Sequence, residues 1–280
     1  MKVLLKLLRV KHYIKNFLIF IPFIFGSFVT LVDLKNIIIA FFAFSLMASC
    51  IYIINDIRDV EKDKNHPTKK DRPIASGKVS KGVAKICAML LFVGSLVLNS
   101  FSSVNIYSYM WLLIYFVLNL LYSYKLKHVP IFDIVMLVSF YIVRVYYGAT
   151  IVAVPVSKWL YLSVMTFASF LAFGKRRNEL KRSGDETRAV LKFYNEKFLD
   201  KFMYLSLAIG ITFYSLWAIE HTNEYFAYTI PLVFIILMRY SLIIEGESDG
   251  DPVEVIIKDK TLILLGLIYV ACIFSFMVRV

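Results

Sequence analysis

Charge is scarce in this sequence: only 19% of its 280 residues are Asp, Glu, Lys or Arg. Cysteine is scarcer still, with Cys50, Cys87 and Cys272 all set inside apolar runs. Thiols so placed make no metal spacing and no even-numbered disulfide framework, and are expected to face lipid or core. A Gly-x-Gly-x-x-Gly fingerprint, a Walker loop and a zinc spacing are also missing, which removes the usual dinucleotide, nucleotide and zinc signatures. What the chain has in excess is apolar: 59% of residues are hydrophobic, among them 24 Phe and 18 Tyr. A soluble domain is nearer ~45–50% apolar even with Gly counted, so an ordinary cytosolic globule is excluded, as are disorder and collagen-like repeats. Lys plus Arg exceed Asp plus Glu by 32 to 20, a net charge of +12. In a membrane protein that excess lies in cytoplasmic loops, so it implies no nucleic-acid partner.

Apolar stretches recur along the whole length. Nine spans are expected, at about 14–32, 35–55, 82–101, 105–123, 130–152, 157–174, 202–219, 225–244 and 261–279. Each is close to the ~20 residues a helix needs to cross ~30 Å of hydrocarbon, and helices are the default because lipid cannot satisfy open backbone groups. The predicted class is therefore all-α and polytopic, one transmembrane domain over 1–280. With the N-terminus inside, only Lys35, Lys158 and Arg279 of the basic residues fall on the outer side and Arg144 deep within a span; the other 28 lie in cytoplasmic segments or towards the cytoplasmic ends of spans. That is the positive-inside bias, and it puts the long connections 56–81, 175–201 and 245–260 on one face.

The second span runs out through Asn55-Asp56-Ile57-Arg58-Asp59-Val60-Glu61-Lys62-Asp63. On a continuing helix Asn55, Asp59 and Asp63 share one face at i, i+4 and i+8, with Asp56 beside them. Like charges at that spacing repel and need a cation. Hard oxygen ligands without His or Cys suit Mg²⁺, which binds through a few carboxylates plus substrate phosphates. The ordinary alternative is a solvated helix end. Next come Lys69, Lys70 and Arg72, between turns expected at His66-Pro67, Arg72-Pro73 and Gly77. These cations suit phosphate oxygens, Arg two at a time; a basic loop serving topology alone is the competing reading. Together the acid cluster and the proline-fixed basic loop read as a metal-diphosphate site.

Asn55-Asp-x-x-Asp59-x-x-x-Asp63, then His66-Pro67 and Arg72-Pro-Ile-Ala-Ser-Gly77, resembles the first Asp-rich motif of the UbiA superfamily of intramembrane prenyltransferases. The resemblance covers the whole chain. It implies a nine-helix bundle whose central cavity opens to the cytoplasm and laterally to lipid, with Asn55, Asp56, Asp59 and Asp63 holding Mg²⁺ and a diphosphate. A second motif of the form Asp-x-x-x-Asp, typical of that family after the sixth span, is missing: the loop reads Gly174-Lys175-Arg176-Arg177-Asn178-Glu179-Leu180-Lys181-Arg182. Asp185 and Glu186 are adjacent and Asp200 is distant. A Lys-Arg-Arg cluster offers direct contacts to anionic groups instead, with Lys175 and Arg176 the best placed and Lys181 and Arg182 facing solvent.

This arrangement is similar to one branch, the decaprenyl-phosphate phosphoribosyltransferases. The similarity lies in Arg9-Val-Lys11-His12-Tyr13-Ile-Lys15-Asn16, in Tyr122-Ser123-Tyr-Lys125-Leu-Lys127-His128-Val-Pro130-Ile-Phe-Asp133, in Arg144 with Gly148-Ala149, and in Lys175-Arg176-x-x-Glu179. His12-Tyr13 stands where a Gln-Trp pair is common in the branch. Asp133 and Arg144 are informative without any family, because ionisable groups within a span are costly and mark function or pairing. Eleven residues apart, they share a face without touching, and both are expected to point into the cavity. Asp251, Glu254 and Asp259 read as a solvated connection, His221 as inert, and Trp111, Trp159 and Trp217 as lipid-facing or interfacial.

The resemblance implies an Mg²⁺-dependent transferase of a bacterial inner membrane, its N-terminus and active site cytoplasmic and its C-terminus outside. It would pass 5-phosphoribose from 5-phosphoribosyl 1-diphosphate to a polyprenyl phosphate and release diphosphate. Asp56, Asp59 and Asp63 would serve catalysis; Lys15, Asn16, Lys69, Arg72, Tyr122, Lys125, Asp133, Arg144, Lys175, Arg176 and Glu179 would bind substrate. The first Asp motif equally fits an aromatic prenyltransferase using a prenyl diphosphate, and intramembrane charge allows an anion transporter. The missing second Asp motif weighs against the former, and an Asp-rich cluster is a poor lining for the latter.

Overall fold

A computed structural model describes residues 2–26, 30–65, 69–103, 105–183, 188–221, 223–246, 248 and 250–278. Among these, helix is the only regular structure. The α-helices are α1 (Lys2–Leu8), α2 (Ile21–Phe25), α3 (Leu31–Arg58), α4 (Val60–Lys64), α5 (Lys81–Ser100), α6 (Ile106–Tyr124), α7 (Phe132–Ile151), α8 (Lys158–Ser183), α9 (Glu196–Glu220), α10 (Ile230–Glu245), α11 (Pro252–Lys258) and α12 (Lys260–Val278). Tighter 3-10 helix joins them at Val10–Phe20, Lys69–Asp71, Leu126–His128, Ala189–Phe193 and Glu224–Thr229. Six helical stretches among the described residues are long and apolar enough to cross a membrane: α3, α5, α6, α7, α9 and Glu224–Glu245.

The first expected span is not one α-helix. It begins as 3-10 helix over Val10–Phe20 and passes into the five-residue α2. Pro22 sits in the first turn of α2, the one place where its missing N–H costs nothing. Gly26 then leaves the helix in extended conformation, and a Cβ on it would stand 2.6 Å from the Pro22 carbonyl oxygen. The remainder of that span, 27–29, lies outside the described residues, as does the expected His66-Pro67 turn.

The chain divides into two compact units, one of residues 1–124 with 143–155 and one of 125–142 with 156–280. In the first, α3 is the central element. Thr30 and Asp33 close a reciprocal capping box at its start, and its 28 residues extend about 42 Å at ~1.5 Å each. That exceeds a ~30 Å hydrocarbon layer, so the helix carries Asn55 and Asp56 beyond its apolar length. α5 packs along it, capped by the Ser80 hydroxyl, which accepts from the Val83 N–H. Leu7, Cys50, Ile53, Val60, Ile74, Ala75, Ala84 and Ala88 form a shared apolar cluster. Gly148 on α7 lets the Ile19 backbone touch that helix, since a Cβ there would lie 2.0 Å from the Ile19 carbonyl oxygen.

In the second unit α8 and α9 pair along their length, α10 packs beside α9, and α11 and α12 pack on α10. The Asn195 side chain caps α9 by accepting from the Phe198 N–H. One cluster joins Ile134, Val138, Ala168, Ala172, Leu191 and Leu199; another joins Phe170, Met203, Tyr240, Ile244, Val255 and Leu262. Trp217, expected at lipid or interface, is instead buried against Tyr214, His221 and Phe226, because the 3-10 turn Glu224–Thr229 folds back over it. His221 packs on the Phe226 ring, and its Nδ1 accepts from the Asn223 N–H.

Candidate functional site

The helix expected to run unbroken through the acid cluster is interrupted at Asp59, whose backbone (φ −89°, ψ 10°) separates α3 from α4. The i, i+4 bonding survives the break: the Asp59 N–H donates to the Asn55 carbonyl and the Asp63 N–H to the Asp59 carbonyl, both at 2.9 Å. Asp56 and Asp63 end buried, while Asp59 stays half-exposed, 4.0 Å from Arg58. Two carboxylates are thus drawn inward and the third is left towards solvent.

Arg72 joins the two buried carboxylates. Its Nη1 lies 3.0 Å from Asp56 Oδ1 and 2.6 Å from Asp63 Oδ2. The loop after it explains the placement. Ser76 N–H donates to the Arg72 carbonyl, Gly77 turns at φ 74°, and Ile74 and Ala75 plug into the cluster beside α3 and α5. Arg72 is thereby pinned at the end of an anchored loop.

Arg9 pairs with the same Oδ1 of Asp56 and stacks over the Tyr52 ring at 5.0 Å. Its backbone is left-handed (φ 52°), a conformation that costs a non-glycine residue roughly 1–2 kcal/mol. Arg9 stands in the N-terminal motif, where spacing gives it no role; only the turn between α1 and the 3-10 segment aims it at Asp56. Asp56 Oδ2 is buried and has no hydrogen-bond partner among the described residues.

The other expected residues of this unit divide into interior and accessible. Asn16 is buried, donating to Ser45 Oγ at 2.9 Å and accepting from Arg144 Nε at 2.8 Å. Arg144 also donates to the Tyr115 hydroxyl at 3.0 Å and lies over the Phe44 and Tyr115 rings, which settles an intramembrane cation by pairing it with polar oxygens and aromatic faces. Asn55 Oδ1 accepts from Ser123 Oγ at 2.5 Å. Lys15, Lys69 and Tyr122 are half-buried.

In the second unit, Arg176 is fully buried. Its Nε donates to Asp133 Oδ2 at 2.5 Å and its Nη1 to Glu179 Oε2 at 2.6 Å. Tyr194 donates to Asp133 Oδ1 at 2.6 Å and accepts the N–H of Ile131, whose φ of 68° is unusual for a β-branched residue. Burial raises the Tyr194 hydroxyl's pKa, and donation to the Asp133 carboxylate raises it further. Burial pushes Glu179 up, but Arg176, Arg188 and Lys175 outweigh it and hold the carboxyl below its ordinary range.

Arg176, expected at an anionic ligand, is therefore engaged by two carboxylates, and Asp133 is its counter-ion. Lys175 pairs with Asp251 at 2.8 Å. Gly250 makes that possible: at φ 70° it lies against α8, where a Cβ would stand 2.9 Å from Asn178 Cβ. Asp251, read from sequence as solvated, belongs to this cluster and also caps α11. Lys181, Arg182 and Lys125 are exposed, and Asp185 and Glu186 lie outside the described residues.

Comparison with known proteins gives the class. The UbiA prenyltransferase family matches residues 19–258, and the chain belongs to that family of transferases. With six apolar helices among the described residues it is an integral membrane protein. Among its relatives, the decaprenyl-phosphate phosphoribosyltransferase of Mycobacterium tuberculosis is 35% identical over 245 residues, 85% of this chain and 80% of the relative. The enzyme of the same name from Corynebacterium glutamicum is 33% identical over 96% of this chain and 85% of its own. A solved UbiA homologue from Archaeoglobus fulgidus, bound to GPP and Mg²⁺, shares the fold with a TM-score of 0.76 at 18% identity, over 97% of this chain and 98% of its own.

No group of three His, Cys, Asp or Glu side chains comes together as a metal cage among the described residues. Mg²⁺ does not require one, since it keeps waters and takes one or two carboxylates plus substrate phosphates. The donors fit it: Asp56 and Asp63 offer oxygen only, and one buried carboxylate oxygen stands unsatisfied.

Proposed function

We propose that this chain transfers 5-phosphoribose from 5-phosphoribosyl 1-diphosphate to a polyprenyl phosphate, releasing diphosphate. The observation that carries the reading is the pair of buried carboxylates, Asp56 and Asp63, bridged by Arg72 with one oxygen of Asp56 unpaired. The names of its relatives support the same reaction. Asp56 and Asp63, with Asn55 and Asp59 nearby in sequence, would hold Mg²⁺; when bound, the ion offsets charge on the departing diphosphate.

The chain's own groups do the rest. Arg72, Lys69 and Lys15 grip the donor's phosphates. The acceptor phosphate is already an anion near neutral pH, so its oxygen attacks C1 of the ribose without a strong general base. The C1–O bond to diphosphate breaks, and the electron pair leaves with the diphosphate. Catalysis is then mostly positioning and electrostatic stabilisation. Lys175 meets a phosphate from α8, and Arg176 positions that turn of helix through Asp133 and Glu179. Asn16, Arg144, Tyr122 and Lys125 complete the set of substrate-contacting or supporting residues. Nine membrane crossings, a cytoplasmic site and an outside C-terminus accord with the basic-residue count, and one domain over 1–280 in a bacterial inner membrane accords with the family resemblance.

The test incubates purified protein and Mg²⁺ with a polyprenyl phosphate and 5-phosphoribosyl 1-diphosphate. A phosphoribosylated lipid and free diphosphate are expected. A prenylated hydroxybenzoate formed from a prenyl diphosphate, with no phosphoribosyl lipid, would overturn the reading in favour of an aromatic prenyltransferase.

A further inference from the structure

The N-terminal segment borders an open cavity of about 580 Å³. Lys6, Arg9, Lys11, His12 and Arg72 line it, and no acidic residue is among its described lining. Two of these cations, Arg9 and Arg72, also hold Asp56, so the cavity abuts the acid cluster and shares its arginines. Lys6 and Lys11 are exposed, and neither has an ion-pair partner of its own among those found in the described residues. Such a concentration of positive charge next to buried carboxylates draws an anion without competing for their metal.

The remaining lining is apolar. Leu5 and Val10 complete the wall and are 48% and 36% exposed. On the same short helix Val3 and Leu4 are also exposed, while Leu7 alone turns into the core. A seven-residue helix is not stable by itself; apolar side chains left open beside lysines are the pattern of a helix lying in a membrane surface. A ligand matching both walls has a phosphate at one end and an apolar chain at the other. A sugar diphosphate has no apolar part and would leave Leu5 and Val10 unused.

We propose that this cavity seats the phosphate of the polyprenyl phosphate acceptor, with its chain leaving over Leu5 and Val10. The inference rests on the proposed phosphoribosyl transfer and assigns the acceptor's place within it. Arg72 then contacts both substrates, with the Asp56–Asp63 side turned to the donor and the cavity side to the acceptor. The attacking phosphate is brought beside the metal-binding carboxylates, and Arg9 accounts for its left-handed backbone by linking the two sides.

The same chemistry is offered by an anionic phospholipid, so the experiment separates the two sources. Full-length protein in nanodiscs of neutral phosphatidylcholine is titrated with farnesyl phosphate, and separately with 5-phosphoribosyl 1-diphosphate and Mg²⁺. The parent is compared with the double variant Lys6→Ala/Lys11→Ala, and with Lys85→Ala, an exposed charge on α5 outside the cavity.

The double variant is expected to bind farnesyl phosphate at least tenfold more weakly, with donor affinity unchanged and KM raised for the acceptor alone. Lys85→Ala should match the parent, and phosphatidylglycerol in the nanodisc should not displace farnesyl phosphate. Equal farnesyl phosphate affinity in double variant and parent would overturn the proposal, as would a loss falling on the donor. Displacement by phosphatidylglycerol would also overturn it and make the cavity a lipid anchor. A parent that binds farnesyl phosphate through Lys6 and Lys11 but transfers no phosphoribose would retain the cavity assignment and sink the reaction instead.

Discussion

Replacing Arg176 with Met distinguishes a cation that positions from one that binds substrate. In the folded protein its guanidinium has no solvent-exposed surface, and it holds Asp133, itself fully buried, at 2.5 Å. Glu179, the second partner at 2.6 Å, keeps Arg188 at 3.8 Å when Arg176 is gone. Among the described residues Asp133 keeps only the Tyr194 hydroxyl. The penalty therefore falls on Asp133, and breaking a buried pair from one side costs about 3–5 kcal/mol because a charge is left uncompensated. At roughly 2–4 °C per kcal/mol for a chain of this size, the midpoint of thermal unfolding in detergent should fall by about 6–20 °C. Removing both charges with Asp133→Leu/Arg176→Met should recover most of that loss, since a matched apolar pair is close to neutral with the ion pair it replaces. The assay is detergent-phase thermal unfolding of the parent, both single variants and the double, read as a coupling energy. An Arg176→Met protein that melts with the parent yet has lost donor or acceptor binding would refute the positioning role and restore Arg176 to direct phosphate contact.

Other expectations can be measured alongside. Asp63→Asn and Asp59→Asn should each lower turnover by about a hundredfold or more, the scale of several kcal/mol of charge stabilisation, and EDTA should act likewise with recovery on adding Mg²⁺; full turnover in EDTA would sink the metal assignment. Lys175→Ala should lose tenfold or more in kcat/KM, on the scale of ~1.5–3 kcal/mol per charged hydrogen bond, while the exposed Lys181→Ala and Arg182→Ala stay near the parent. Like behaviour in all three would reduce that loop to a topology signal. Glu179 is held below its ordinary range, so its stabilising effect is complete above the unfolded value near ~4.3 and fades only as pH falls through the lower folded value. The stability gap between parent and Glu179→Gln should therefore be flat from pH 8 to about 5 and shrink below that; a gap that closes above pH 5 contradicts the charge arrangement around Glu179.

Apolar content and charge placement were enough to determine an all-helical membrane chain, because both follow from local rules of burial and insertion that need no partner residue. The same holds for the acid cluster and the basic loop after it: Asp56, Asp63 and Arg72 lie within seventeen positions, close enough for spacing to reveal their shared purpose. Tertiary structure decided which charges face inward. Spacing made Asp59 the equal of Asp63, but the break between α3 and α4 buries one and leaves the other half-exposed. Arg9 lies 47 residues before its partner Asp56, Arg176 lies 43 after Asp133, and Lys175 lies 76 before Asp251. Pairs so far apart leave no periodic trace, and a buried arginine looks in sequence like one reaching for phosphate. The difference is made by the packing of α7, α8 and the Tyr194 turn, which withdraws Arg176 from water and sets it against the carboxylates of Asp133 and Glu179.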